Sequence, residues 1–281
     1  MRVVVVGATG VLGRNVLPRL IERGYAVRAV VRRPEQVDLL ERLGVEAMLG
    51  DILDPASLDR AVAGCDAALH LATAVPRPGT NPHWDMNDHI RRDGTRHLLA
   101  AATRGWVRRY VQQSIALVYG EQGARIVDEA TPLSPGPVAQ SAMDMEGLVR
   151  LSALDWRILR GGLFYGPGTG RDKNWRVAAQ AGTLRTPGDG NGLISLIHVV
   201  DMACAVVLAL EAAPSRSLYN VMDDEPVTWR EVYGYIAMQE RGAPPTPGGS
   251  VLLPSLGCSN ARIKADLGWQ LAYPTYRSGL V

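Results

Sequence analysis

The stretch Arg2-Val3-Val4-Val5-Val6-Gly7-Ala8-Thr9-Gly10-Val11-Leu12-Gly13 decides the fold. Four consecutive valines read as a strand buried on both faces, because a half-exposed strand would alternate polar and apolar side chains. Glycines follow at once at positions 7, 10 and 13. Beyond them Val11, Leu12, Val16, Leu17, Leu20 and Ile21 recur at helical spacing, which puts the glycines in the turn between a central strand and a helix N-terminus. One glycine permits a tight turn, one lets the backbone approach a pyrophosphate, and one lets helix pack closely on strand. Free N–H groups and the positive end of the helix dipole then favour an anion. The combination points to a dinucleotide, with Gly7, Thr9, Gly10, Val11, Leu12 and Gly13 as its cradle.

Bulk properties narrow the class. A chain of 281 residues suits one large α/β domain, alone or with a smaller companion. Hydrophobic residues make up 47% of it, yet no apolar run reaches the roughly 18 residues of a membrane span. The N-terminus enters a strand directly, without the basic, apolar and cleavage regions of a secretory signal, so a cytoplasmic protein is expected, with no membrane partner. A net charge of +2 with scattered basic residues leads us to expect no nucleic-acid partner. Cys65, Cys204 and Cys258 show no paired or metal-ligand spacing; we expect free thiols and no metal site.

Strands and helices alternate along the chain, which predicts a doubly wound parallel sheet with right-handed crossovers. The second strand, Ala26–Val31, ends in Arg32 and Arg33 with no acidic residue. An acid at that place binds the ribose hydroxyls of NAD, whereas arginine accommodates the 2′-phosphate of NADP, so NADP is the expected cofactor rather than NAD. Both arginines also read as simple strand-end residues. Asp54-Pro55 starts a helix, Asp being a good N-cap and Pro suiting the first helical position. The loop from Ala74 to Asp88 leaves the carboxyl end of a central strand, where His83, Trp84 and Asp85 are candidates to touch a small-molecule substrate or merely to cover the sheet. A helix is predicted over 90–104, a Pro/Gly-rich linker over 242–254, and a capping box at Thr228 and Glu231.

With Ala8 and Thr9 between its glycines, Gly-Ala-Thr-Gly-Val-Leu-Gly resembles the extended or atypical short-chain dehydrogenase/reductase superfamily, of the epimerase/dehydratase kind. The resemblance covers nearly the whole chain. It implies a Rossmann-type fold with a small C-terminal substrate-binding lobe: residues 1–164 with about 193–214 for the dinucleotide, and about 165–192 with 215–281 for the lobe. It also implies adenine contacts from Asp51 and Ile52, and a backbone path along the cofactor at Leu71-Ala72-Thr73 after His70, itself read as a packed strand residue. Gly94-Thr95-Arg96-His97-Leu98-Leu99 is similar to the family's Gly-Thr-x-x-Leu-Leu helix, but Arg91 stands where the family commonly has Asn. Gln113-Ser114 through Val118-Tyr119-Gly120 looks like the active-site strand, with Ser114 to orient a substrate oxygen by hydrogen bonding. A homodimer is a further expectation from the family.

The resemblance breaks at the catalytic helix. Short-chain dehydrogenases carry Tyr-x-x-x-Lys there, the Lys lowering the Tyr pKa so that Tyr exchanges protons near neutral pH. Aligning Ser141 and Glu146 puts Val138 and Ala142 at those places, and no Tyr or Lys occurs from Glu121 to Leu163. Tyr165, in a Tyr-Gly-Pro-Gly turn, and Lys173 are the nearest substitutes for a relay. Ile194 replaces the arginine that holds a nucleotide-sugar diphosphate four residues before the His of the His-Val-x-Asp segment, here His198 and Asp201. Two functions remain: an NADP-binding reductase, epimerase or dehydratase-like enzyme acting on a small organic or sugar-like molecule, or a non-catalytic NADP(H) sensor.

Overall fold

The computed structural model describes residues 1–76 and 84–280. Among them, strands β1 (Arg2–Val6), β2 (Ala26–Val31), β3 (Glu46–Leu49), β4 (Ala67–His70), β5 (Arg109–Ile115), β6 (Asp155–Gly161) and β7 (Ser217–Val221) form one sheet in the order β3-β2-β1-β4-β5-β6-β7. The pairs β1–β2, β2–β3, β1–β4 and β4–β5 run parallel, so each connection must cross the sheet. Helices α1 (Val11–Glu22), α2 (Glu35–Glu41), α3 (Pro55–Val62), α4 (Asp85–His89) and α5 (Thr95–Arg104) make those crossings. The doubly wound α/β architecture is the one that the valine run demands: Val3 to Val6 are all buried, with strands on both sides.

Chain direction in the sheet reverses beside β1. The chain first builds outward to β3 and then returns to place β4 on the other flank of β1. Open α/β sheets bind ligands at such a reversal, outside the carboxyl ends of the strands. Gly7 leaves β1 there and Leu71 leaves β4, with the Leu71 N–H donating to the Val6 carbonyl at 2.8 Å.

Local chemistry sets several boundaries. Asp54 caps α3 by accepting the Ala56 N–H at 3.1 Å, with Pro55 in the first turn. The helix expected over 90–104 begins earlier, at Asp85, and widens into a π-helical turn over Ile90–Gly94 before α5. Such a turn holds one residue more than an α turn, which periodicity counted from Leu98 and Leu99 does not register. The segment expected as a linker over 242–254 is partly a strand: Thr246–Gly249 pairs in parallel with Arg185–Pro187, because extended Pro/Gly-rich backbone still offers carbonyls and N–H groups to an edge.

Contacts divide the chain into two compact units, Met1–Ser114 with Pro137–Leu159 and Ala203–Leu218, and Ile115–Gly136 with Arg160–Met202 and Tyr219–Val281. Residues 115–136, grouped by sequence with the first part, belong to the second unit, where Ile126–Val127 pairs with Gly257–Cys258. The first unit is built on Val4, Val6, Leu58, Leu98, Ala101 and Ile158. The second centres on Trp175, Trp229 and Tyr233, whose rings meet edge to face at 5.3–6.4 Å. The thiols of Cys65, Cys204 and Cys258 are free.

His70 at the end of β4 is fully buried, and burial pushes its imidazole pKa down from 6.5 to about 4. The unfolded chain therefore binds a proton near pH 6.5 that the folded chain accepts only near pH 4. Stability tied to this group is complete above that window and falls as the pH drops through it, by about 3 kcal/mol in all. His70→Leu should reduce the loss of urea midpoint between pH 7 and pH 4.5 relative to the wild type.

Candidate functional site

The glycine turn is shaped by backbone contact. Gly7 lies at φ +94°, and a Cβ there would sit 2.5 Å from the Ala72 backbone nitrogen. A Cβ on Gly13 would fall 2.2 Å from the Gly7 carbonyl oxygen and 2.5 Å from that of Ala8. Gly10 closes the turn through its N–H to the Gly7 carbonyl at 3.0 Å and stands exposed as the N-cap of α1. It brings no side chain to the helix end, and the first turn of α1 holds no acid. The leading N–H groups of a twelve-residue helix are thus left for an outside acceptor. This bare helix end beside the sheet reversal fits a dinucleotide pyrophosphate.

Neighbouring loops complete the rim. Thr9 Oγ1 accepts from Gln36 Nε2 at 3.2 Å, a link from the turn to α2 that the sequence does not advertise. Arg32 and Arg33 follow β2 and are exposed. Asp51 follows β3, where its carboxylate accepts the Leu53 N–H at 2.9 Å and its own N–H donates to Ser57 Oγ at 3.0 Å. Ile52 is buried against Gly94, where a Cβ would come within 3.0 Å of the isoleucine side chain. Leu71, Ala72 and Thr73 lie in the loop after β4 rather than in the strand. His83 lies outside the described residues; Trp84 is half-buried and Asp85 exposed.

The structure gives Ser114 a partner inside the protein. Its side chain is buried, and its hydroxyl donates to Glu146 Oε1 at 2.7 Å. Glu146 is equally buried on α6 (Pro137–Leu151), with Arg150 3.8 Å from its other oxygen. The serine proton is committed to a carboxylate inside the protein, so Ser114 ties β5 to α6. Earlier on that helix Val138 is half-buried and Ala142 fully buried, and neither can carry a proton. What meets this part of α6 is Arg91, whose Nη1 donates to Ser141 Oγ at 3.1 Å and to the Val138 carbonyl at 3.2 Å. Its signal in the sequence is the replacement of the family's Asn.

Tyr165 and Lys173 lie in different environments. Tyr165 is fully buried, its hydroxyl donating to Asp223 Oδ2 at 2.9 Å, while Lys173 is exposed on α7 (Arg171–Gln180). Burial and the Asp223 carboxylate both raise the Tyr165 pKa, the opposite of what a proton-exchanging tyrosine needs near neutrality. Burial raises Asp223 to about 7 and lowers His198, whose ring packs against Tyr273 at 3.8 Å, to about 4. Asp201 accepts the N–H groups of Ala272 and Tyr273, both at 2.9 Å. Tyr119 receives a hydrogen bond from Arg160 and gives one to Asn220, each at 2.8 Å. These groups hold the second unit together.

Residues 7–210, which include the glycine turn and α6, match the protein family described as NAD(P)H-binding. The chain belongs to that family. It is 33% identical to the 3-diazoavenalumate denitrifying reductase of a Streptomyces species, across 100% of this chain and 99% of that protein. It is 29% identical to the 2-alkyl-3-oxoalkanoate reductase of Stenotrophomonas maltophilia over 87% of this chain and 77% of the relative. Among solved structures, the UDP-glucose 4-epimerase of Thermus thermophilus in complex with NAD shares 25% identity and a TM-score of 0.84, covering 100% of this chain and 96% of that one. This member of the NAD(P)H-binding family thus sits among the reductase- and epimerase-like enzymes of the short-chain dehydrogenase/reductase superfamily. Among the described residues no helix is long and apolar enough to cross a membrane, and no group of side chains is placed to hold a metal ion.

Two substitutions probe this geometry. Gly13→Ala forces a methyl into two carbonyl oxygens and should cost about 1–3 kcal/mol while weakening NAD(P)H at least about tenfold, read by chemical denaturation and fluorescence titration. Ser114→Ala deprives buried Glu146 of a donor and should cost about 1–3 kcal/mol in the same denaturation assay, with NAD(P)H affinity retained.

Proposed function

We propose that this protein is an NADP-dependent reductase of a small organic molecule that takes no proton from α6, and that its substrate is an aryl diazonium compound reduced with loss of nitrogen. The observation that carries this reading is α6 itself, where Val138 and Ala142 stand at the Tyr and Lys places while the Ser114 hydroxyl is bound to Glu146. Reduced nicotinamide, when bound, supplies a hydride. The turn at Gly7, Gly10 and Gly13 and the open end of α1 would hold its pyrophosphate, and Arg32 and Arg33 a 2′-phosphate.

The demand on the protein differs between electrophiles. A ketone that accepts hydride becomes an alkoxide and must receive a proton, which is the work of the missing tyrosine. A diazonium carbon that accepts hydride gains a C–H bond while the C–N electron pair leaves with N2, and no oxygen needs protonation. The name of the full-length relative, a denitrifying reductase of a diazo compound, supports this class. Ile194, standing where a diphosphate-binding arginine belongs, disfavours a nucleotide sugar.

Mixed with NADPH and an aryl diazonium acid, the protein should oxidise the cofactor, release N2 and carry deuterium from 4-deuterated NADPH onto the ring carbon. Turnover of ketones without turnover of the diazonium acid would overturn the substrate class. Saturable NADPH binding with turnover of neither would favour the non-catalytic sensor. Replacing Arg32 and Arg33 together by alanine should weaken NADPH about tenfold or more, as expected for loss of charge-assisted bonds to a phosphate, and leave NADH within about twofold in parallel titrations.

A further inference from the structure

Arg91 occupies the π turn Ile90–Gly94 and is only 3% exposed. Its neighbours on that element are balanced by carboxylates: Arg92 pairs with Asp144 at 2.7 Å and Asp88 at 3.7 Å, and Arg96 with Asp93 at 2.5 Å. Arg91 has no such partner among the described residues. Its two hydrogen bonds, to Ser141 and the Val138 carbonyl, both leave from Nη1 and both end on neutral oxygens. Burial pushes even this guanidinium down to about 10, with Asp88 favouring its charge and Arg92 opposing it. Asp88 favours that charge without pairing with it, and a buried cation with no paired carboxylate is costly unless something supplies further negative charge.

Geometry says what kind of anion fits. With Nη1 engaged, the donors of Arg91 left without a partner among the described residues are those of Nε and Nη2, the two-pronged edge that matches a carboxylate or phosphate in bidentate fashion. Polar groups on the same helical segment also lack partners. Four residues before Arg91, fully buried Asn87 has no partner for Nδ2 among the described residues, and four residues after it buried Thr95 has none for Oγ1. A π turn is an unusual local structure that occurs frequently at functional sites.

We propose that Arg91 is a substrate-binding residue, holding a carboxylate of the substrate beside the N-terminal part of α6, where the family places its Tyr and Lys. A cation thus reaches the neighbourhood of Ala142 from a different helix and serves binding rather than proton transfer. The assignment of the anion to substrate rests on the reductase reading above. Phosphate oxygens of the cofactor offer the same chemistry, so the test separates the two sources.

The probes are NADPH, followed by fluorescence titration, and 4-hydroxycinnamate with its neutral amide, followed by calorimetry on protein saturated with NADP+. In the wild type the acid should bind at least about tenfold more tightly than the amide. Arg91→Gln should abolish that preference and leave NADPH affinity within about threefold, and Arg91→Lys should restore part of it. No preference for the acid in the wild type, which needs no variant to fold, would overturn the proposal. So would equal weakening of NADPH and acid, which assigns the anion to the cofactor, or a preference that survives Arg91→Gln, which leaves Arg91 as a fastener between two helices. Neither probe compound is reduced, so the outcome is independent of turnover: acid binding through Arg91 with no reduction of a diazonium acid would sink the substrate class and keep the residue assignment.

Discussion

Between Gly7 and Ala72 there is no room for a methyl group. The backbone leaving β1 passes against the backbone leaving β4, and α1 closes on the same turn through Gly13. The bare helix end and the loop after β4 are held together by this approach. Side chains have little part in it, which suits a ligand recognised through phosphate oxygens and backbone N–H groups.

That constraint is also why the fold could be read from sequence. Four valines in a row admit few environments other than the middle of a parallel sheet, and glycine at 7 and 13 answers a backbone requirement that no other residue meets. Asp54-Pro55 and the pair Thr228 and Glu231 likewise announce caps that the structure contains. The π turn was not legible, because one extra residue in a helix leaves the composition of its faces nearly unchanged. Nor was the pairing of Thr246–Gly249, which depends on an edge offered by residues some sixty positions earlier.

The candidate site divides along the same line. Gly7, Gly10 and Gly13 declare themselves locally, and the absence of Tyr and Lys from α6 can be counted. Partnerships across sequence cannot. Ser114 looks like a free hydroxyl until Glu146, 32 residues on, is found to accept its proton. Tyr165 and Lys173 look close in sequence, yet the fold buries one ring against His198 and sends the other side chain to solvent. Arg91 showed only as a departure from a pattern, and its meaning depends on α6, more than forty residues away.

The Ser114–Glu146 bond has one more implication. It fastens α6 to β5 from within the protein and asks nothing of cofactor, substrate or the residues at 138 and 142. The helix is held to the sheet by that bond, and its N-terminal part is held to the π turn by Arg91. Holding the helix and supplying reaction groups are thus tasks that fall to different residues of α6: Glu146 anchors it, while positions 138 and 142 take no part in that bond.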